Sequence, residues 1–445
     1  MARSAWYGRL VRRVYDGMVA LSLALAGCFT DNGGGVTGSG ASTSGVTTGD
    51  PGVTTGAVGA TSEDSSASGS TCAEACGSSE PTMPGETGDA TTGGPTTSDP
   101  TSETTTGDGR PTFAQGMTYS VGGAYALARG NFDGDGLDDL VVTSQNLLKP
   151  VVYVYHGGGV VVDAFDVGAA ISVVAPSLGS DNGSDSDIVI GQVGTPAVVS
   201  PFTWDAGLMV EPPVELPDSC AAPRQLAYGL INVDGLVDLL VACDTGGLVV
   251  LPGVNVGPFG APLQLGVSGK VVGVALADVT ADGKLDALYL DAVSGSVVFI
   301  RGAGILNLDA NKSTDFKVEM PSAVAVGNFD GDLFVDFVVT SDLGGCATFR
   351  GSADAPIVGP VHACGGKAQD VALADIDADG FDDVVTVHSG ELHVGYGAGD
   401  GTFSASEIIP AGEQPARVAV GDFNGDLKPD LAVTGLDRLT VILQD

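Results

Sequence analysis

The segment Ala416-Arg417-Val418-Ala419-Val420, Gly421, Asp422-Phe423-Asn424-Gly425-Asp426-Leu427-Lys428-Pro429-Asp430, Leu431-Ala432-Val433-Thr434 decides the fold. Two short apolar runs with strand character flank a nine-residue acidic loop, and Leu439 to Leu443 supplies a third run. The same order recurs upstream. Loops Asn131 to Asp139, Asp278 to Asp286, Asn328 to Asp336 and Asp375 to Asp383 keep an oxygen-bearing side chain at their first, third, fifth and ninth positions. A worn copy at Leu230 to Asp238 keeps Asn232, Asp234, Gly235 and Asp238, and the most degraded, Gly179 to Asp187, keeps only flanks such as Ile188-Val189-Ile190. The loops begin at 131, 179, 230, 278, 328, 375 and 422, in steps of 48, 51, 48, 50, 47 and 47. Seven units of nearly constant period indicate a repeat architecture.

Each unit reads as short antiparallel strands. In the first, Val151 to Tyr155 and Val160 to Val167 follow the two runs that flank the loop. Four strands per ~48 residues is the size of a propeller blade, and no segment sustains a helical period. The last unit stops at Asp445 after three strands, while a strand-like piece, Thr112 to Ser120, precedes the first loop. Aligning 401–421 with 111–130 places that piece in the fourth-strand position, where it completes the last blade. Closure of this kind leaves few exposed strand edges, which an open solenoid would not achieve. The expected fold is all-β, a seven-bladed β-propeller with four-stranded blades over 112–445.

The last repeat, Gly399-Asp400-Gly401-Thr402-Phe403 through Gly425-Asp426, resembles the VCBS repeats of bacterial surface proteins, and Phe259-Gly260-Ala261-Pro262 resembles the tetrad of the FG-GAP repeats found in the integrin α-subunit propeller. The resemblance spans about three quarters of the chain. It implies a calcium ion in each intact loop, about five sites. The residues agree independently, because side-chain oxygens at positions 1, 3, 5 and 9 with a backbone carbonyl at 7 suit a hard cation of six or more oxygen ligands. The expected sets are Asn131, Asp133, Asp135, Leu137 and Asp139; Asp278, Thr280, Asp282, Lys284 and Asp286; Asn328, Asp330, Asp332, Phe334 and Asp336; Asp375, Asp377, Asp379, Phe381 and Asp383; and Asp422, Asn424, Asp426, Lys428 and Asp430. Leu137, Lys284, Phe334, Phe381 and Lys428 would contribute only their carbonyls. A plain tight turn needs two or three Asp, Asn or Gly residues, fewer than these loops hold in register. Gly is usual at position 6, so Leu333 and Leu427, which stand there, are expected to strain or weaken their sites.

The charge fits this reading. The chain carries 18 Lys+Arg against 55 Asp+Glu, a net charge of −37. Such a surface repels phosphate backbones and anionic lipid, which excludes nucleic acid as a partner. Sixteen of the carboxylates sit at ligand positions of the five loops, where the apo form would suffer like-charge repulsion.

The N-terminus reads as an address. Arg3, Arg9, Arg12 and Arg13 precede the apolar run Met18 to Ala26, too short to cross a bilayer, and Leu25-Ala26-Gly27-Cys28 resembles the lipobox of bacterial lipoproteins. Residues 1–27 are the expected signal peptide and Cys28 the expected lipidation site. Acyl chains on one cysteine would be the only membrane contact. Residues 28–111 form the expected disordered tether, rich in Gly, Ser and Thr, too poor in apolar residues to fold and with a reach of ~50 Å. It holds 11 of the acids and Cys72 and Cys76, which could close a small loop. The expected localisation is extracytoplasmic, and Phe29 after Cys28 favours the outer membrane or cell surface. An exported chain with six further cysteines suggests disulfides, with Cys346–Cys364 and Cys220–Cys243 as the other candidate pairs.

Catalytic signals are thin, and no enzyme is expected. No nucleophile elbow, P-loop or H-E-x-x-H occurs. His388 and His393 flank a predicted hairpin turn and are read as polar neighbours rather than zinc ligands. Trp204, the one Trp after the signal, is read as packing rather than a sugar platform. The expected function is a monomeric, calcium-stabilised envelope scaffold that binds an envelope or extracellular protein, or serves in adhesion. A carbohydrate-binding propeller and an extracytoplasmic hydrolase or lyase with a central pocket are the alternatives.

Overall fold

Along each repeat the run after the acidic loop has no polar alternation, and its burial accounts for this. Asp139–Ser144, Asp238–Cys243 and Asp336–Ser341 are buried at every position. A strand covered on both faces reads as a continuous apolar run. The outermost strands, such as Phe113–Ser120 and Ile357–His362, are exposed or half-buried at every position.

The computed structural model describes residues 110–145, 151–157, 162–176, 187–204, 208–267, 269–306, 308, 313–362, 364–404 and 407–445. The expected signal peptide, residues 28–109 of the expected tether with Cys28, Cys72 and Cys76, and the degraded loop before Asp187 lie outside the described residues, as does the Trp204 side chain. The described residues form seven antiparallel blades. Blade 1 runs Ala124–Gly130, Asp139–Ser144, Val151–Tyr155 and Val162–Asp166 from the ring axis outwards. Blade 2 differs at its rim, where Leu208–Val210 and Val214–Glu215 both pair with Val198–Trp204.

The core is divided among the blades. Seven apolar clusters each join two neighbouring blades. Leu240 and Val250 of blade 3 meet Val271 and Ala287 of blade 4, and Phe337 and Phe349 of blade 5 meet Leu288 and Phe299 of blade 4. Each fully buried Phe or Leu contributes ~1.5–3 kcal/mol, so the blade interfaces, not the thin blades, hold the ring together.

Closure follows the alignment drawn from the sequence. Phe113–Ser120 pairs antiparallel with Arg438–Gln444 as the fourth strand of the last blade, and the Asp445 N–H donates to the Thr112 carbonyl at 2.8 Å. The cluster of Leu140 and Val142 with Leu439 and Val441 seals blade 7 against blade 1. A polar latch reinforces it. Asp138 Oδ2 accepts the Asp422 N–H at 3.0 Å and pairs with Arg129 at 3.0 Å. Asp382 repeats the contact between blades 6 and 5, accepting the Asn328 N–H at 2.6 Å. Replacing Asp138 with Ala removes the acceptor from that amide and should lower stability by ~1–2 kcal/mol, read as a denaturation midpoint shift at unchanged m-value. An unaltered midpoint would show that the latch is redundant with the apolar seal.

The registers also place the two ends of the ring. Gly421 faces Asp430 across the acidic loop, Thr434 faces Leu439 across the opposite turn, and Phe113 faces Gln444. The chain therefore enters the ring at Thr112 on the acidic-loop face. Two disulfides, Cys220–Cys243 and Cys346–Cys364, tie linkers to strands in blades 3 and 5.

Candidate metal centre

The ninth loop residue opens the second strand and is wholly buried. Asp139, Asp238, Asp286, Asp336, Asp383 and Asp430 are each 0% exposed. Each carboxylate spans the blade. Asp383 Oδ2 accepts the Ile376 N–H at 2.8 Å and Oδ1 the Gly397 N–H at 2.7 Å. Asp139 does so with Phe132 and Gly157, Asp286 with Thr280 and Gly302, Asp336 with Phe329 and Gly351, and Asp430 with Phe423 and Gln444. Each thus bolts the loop's start to the end of the third strand. The worn loop keeps its bolt, because Asp238 accepts the Asn232 and Gly253 amides although Leu230 replaces the first donor. Burial pushes the carboxyls of Asp238 and Asp286 up, those of Asp336 and Asp430 to about 6 and that of Asp383 to about 7, with neighbouring loop carboxylates adding to the shift.

The other positions fold the loop on itself. The position 7 amides of Leu137, Lys284, Phe334, Phe381 and Lys428 donate to the position 5 carboxylates Asp135, Asp282, Asp332, Asp379 and Asp426 at 2.7–3.1 Å. Asn131 and Asn328 accept the amides of Gly134 and Gly331, and Asp278, Asp375 and Asp422 accept amides four and five residues on. Leu427 has φ +67°, a left-handed conformation costly for a side chain with Cβ, whereas Leu333 avoids it.

Three groups of acidic or imidazole side chains converge, each with ligand atoms within 4.8 Å of one another: Asp330, Asp332 and Asp336; Asp375, Asp377 and Asp383; and Asp133, Asp139 and His156. The first two are all-oxygen sets, the donor chemistry of a hard divalent cation. Asp377 Oδ1 is buried with no hydrogen-bond partner among the described residues, an acceptor that a cation would satisfy. In the other two loops three carboxylates do not meet in this way. Arg301 Nη2 lies 3.1 Å and Lys284 Nζ 3.8 Å from Asp282 Oδ2 in the 278–286 loop. In the 422–430 loop Asp422 is turned onto the Gly425, Asp426 and Leu427 amides, and Asn424 Nδ2 donates to Asp426.

Sequence reasoning passed over the residue just after or at the end of the third strand. His156 Nδ1 lies 3.2 Å from Asp133 Oδ2 and 3.4 Å from Asp139 Oδ2, and Arg350 Nη1 lies 3.9 Å from Asp330 Oδ2. Tyr396 at this place donates instead to Glu407 at 2.9 Å. The signal was present, since each precedes a glycine: His156-Gly157, Arg301-Gly302, Arg350-Gly351 and Tyr396-Gly397. The rings of His388 and His393 lie 4.2 Å apart, tilted by 47°, but His388 is held by the Lys367 carbonyl and the Thr386 hydroxyl, and His393 Nε2 meets Glu391.

The FG-GAP-like repeat family matches residues 375–433, which include the loops of blades 6 and 7. No curated protein matches the chain. Among solved structures, the BP39L lectin from Burkholderia pseudomallei is similar over 73% of this chain and 97% of its own, with 17% identity and a TM-score of 0.59. BBS1N, solved in complex with ARL6DN, is similar over 75% of this chain and 97% of its own, with 11% identity and a TM-score of 0.55. At these identities the likeness is one of fold.

Proposed function

We propose that this chain is a calcium-stabilised β-propeller of the cell envelope, held by a lipid on Cys28, that works as a protein-binding or adhesion scaffold. The supporting observation is the polarity of the ring. The acidic loops and the point of chain entry at Thr112 share one face, so a tether leaves from the loop side and the opposite face, with its short turns and channel mouth, is the one presented. Asp330, Asp332 and Asp336 with Asn328, and Asp375, Asp377 and Asp383 with Asp379, are the sets that would hold calcium. Bound there, the ion would neutralise the crowded carboxylates. Asp336 and Asp383 meanwhile hold the backbone amides that fix each loop to its blade.

The test is retention of solubilised envelope proteins on the immobilised full chain in millimolar Ca²⁺. Specific retention is expected, lost when charge is reversed on the turn face and kept when a surface residue of the loop face, such as Lys284, is replaced. Equal retention by both variants would sink the scaffold reading. A glycan ligand is the second reading, supported by a central cavity of about 720 Å³ with a largely polar lining.

A further inference from the structure

Tyr125, Arg224 and Arg417 come from blades 1, 3 and 7 and meet at the central channel, which both arginines line. Each occupies the first or second position of its blade's innermost strand, in Ala124–Gly130, Pro223–Gly229 and Arg417–Gly421. Those positions lie at the end of the channel away from the acidic loops, since Pro223 pairs with Cys243 and Arg417 with Thr434. Arg224 Nη1 donates to the Tyr125 hydroxyl at 3.4 Å, and the Arg417 guanidinium carbon lies 6.0 Å from the Tyr125 ring centroid. Each guanidinium is steadied from one side. Arg224 Nε donates to Asp244 at 3.2 Å, and Arg417 Nη1 donates to the Gln369 carbonyl at 3.2 Å and lies 3.8 Å from Asp370. Lys270 shares Asp244 at 3.3 Å. Small inner-strand residues such as Ala126, Ser172 and Ala372 leave the cavity of about 720 Å³ open.

We propose that this channel mouth binds a hydroxylated monocarboxylate, the class to which acidic sugars belong. The inference rests on the reading of the propeller as a binding module and names the ligand chemistry of its presented face. Two guanidinium forks on either side of one phenol match the planar, two-oxygen geometry of a carboxylate. Charge selects the valence. At this end of the channel Arg224, Lys270 and Arg417 face Asp244 and Asp370, one positive charge in excess, which a single carboxylate neutralises; Arg129, Lys428, Asp138, Asp375 and Asp422, toward the acidic loops, add one negative charge in excess to the lining. A polyanion would bring excess negative charge into a chain of net charge −37. That two of the chain's 18 basic residues converge on one ring, instead of spreading over an acidic surface, marks the place as one built for an anion. The polar lining beyond the cluster, including Gln225 and Tyr228, suits the hydroxyls.

The test is calorimetric titration of the full chain in saturating Ca²⁺ with sodium glucuronate, with glucose and sodium sulfate as comparisons. The expected result is saturable one-to-one binding of glucuronate with Kd on the order of 1 mM or tighter, none of glucose, and weaker binding of sulfate. Arg224→Gln and Arg417→Gln should each weaken glucuronate by about tenfold or more. Tyr125→Phe keeps the ring, removes the hydroxyl and should weaken binding by a smaller factor, which keeps the test decisive where an Arg variant folds poorly. Glucuronate heats no larger than those of glucose, sulfate binding as tight as glucuronate, or full affinity in all three variants would each overturn the proposal. Glucuronate binding without envelope-protein retention would reject the scaffold alone, and retention without glucuronate binding would reject the carboxylate site alone.

Discussion

Removing calcium with EDTA should lower the melting temperature by about 10 °C or more relative to millimolar Ca²⁺, the largest single effect expected of a change in solvent. An ion that binds only the folded state stabilises it by ~2.7 kcal/mol at a hundredfold excess over Kd, and several sites add. The two all-oxygen clusters should supply most of the gain. The 278–286 loop already has Arg301 and Lys284 beside its carboxylate, and the 422–430 loop does not bring three carboxylates together, so these two should bind more weakly. A calcium titration should therefore resolve strong sites in the loops of blades 5 and 6 before those of blades 4 and 7. A melting midpoint indifferent to EDTA would sink the calcium reading of the loops.

The second large effect separates the bolt from the ligand. Asp383→Ala should destabilise the fold by about 3 kcal/mol or more, because it strands the buried Ile376 and Gly397 amides and leaves a void at a 0% exposed site. That loss should persist in EDTA. Asp377→Ala removes a carboxylate whose buried Oδ1 has no protein partner among the described residues, so its cost should appear in Ca²⁺ and largely vanish in EDTA. Asp238→Ala, in the worn loop with the same two amide bonds, should behave like Asp383→Ala and ignore calcium throughout. Equal calcium dependence for Asp383→Ala and Asp377→Ala would show that the ninth residue is a ligand and little else.

The ring was legible because its evidence is local and repeated. A 47–51-residue step, a run such as Asp336-Phe337-Val338-Val339-Thr340-Ser341 with no polar alternation, and a spare strand at Thr112 to Ser120 are each visible without neighbours. The site was legible only in part. Ligand spacing reads off the chain, but an Asp that binds a cation and an Asp that accepts two amides are the same letter, and only burial and bond partners tell them apart. His156, Arg301 and Arg350 went unread because their role depends on the third strand returning to the loop mouth, a contact 17 to 23 residues away in sequence from Asp133, Asp139, Asp282 and Asp330. Tyr125 and Arg224 are 99 residues apart and meet only because both innermost strands face the axis. No local pattern encodes such a meeting.

The pairing that closes the ring has a consequence for the order of assembly. Thr112 and Asp445 meet across 333 residues, so the first strand of the propeller to leave a ribosome or an export channel waits for the last one before its edge is covered. Every blade boundary but one can form as the chain emerges. The final boundary is all-or-none, and until it forms the earliest strand is an exposed, adhesive edge. A carboxyl-terminal truncation of a few residues would thus be felt at Phe113–Ser120, as a newly orphaned strand at the far end of the ring's sequence.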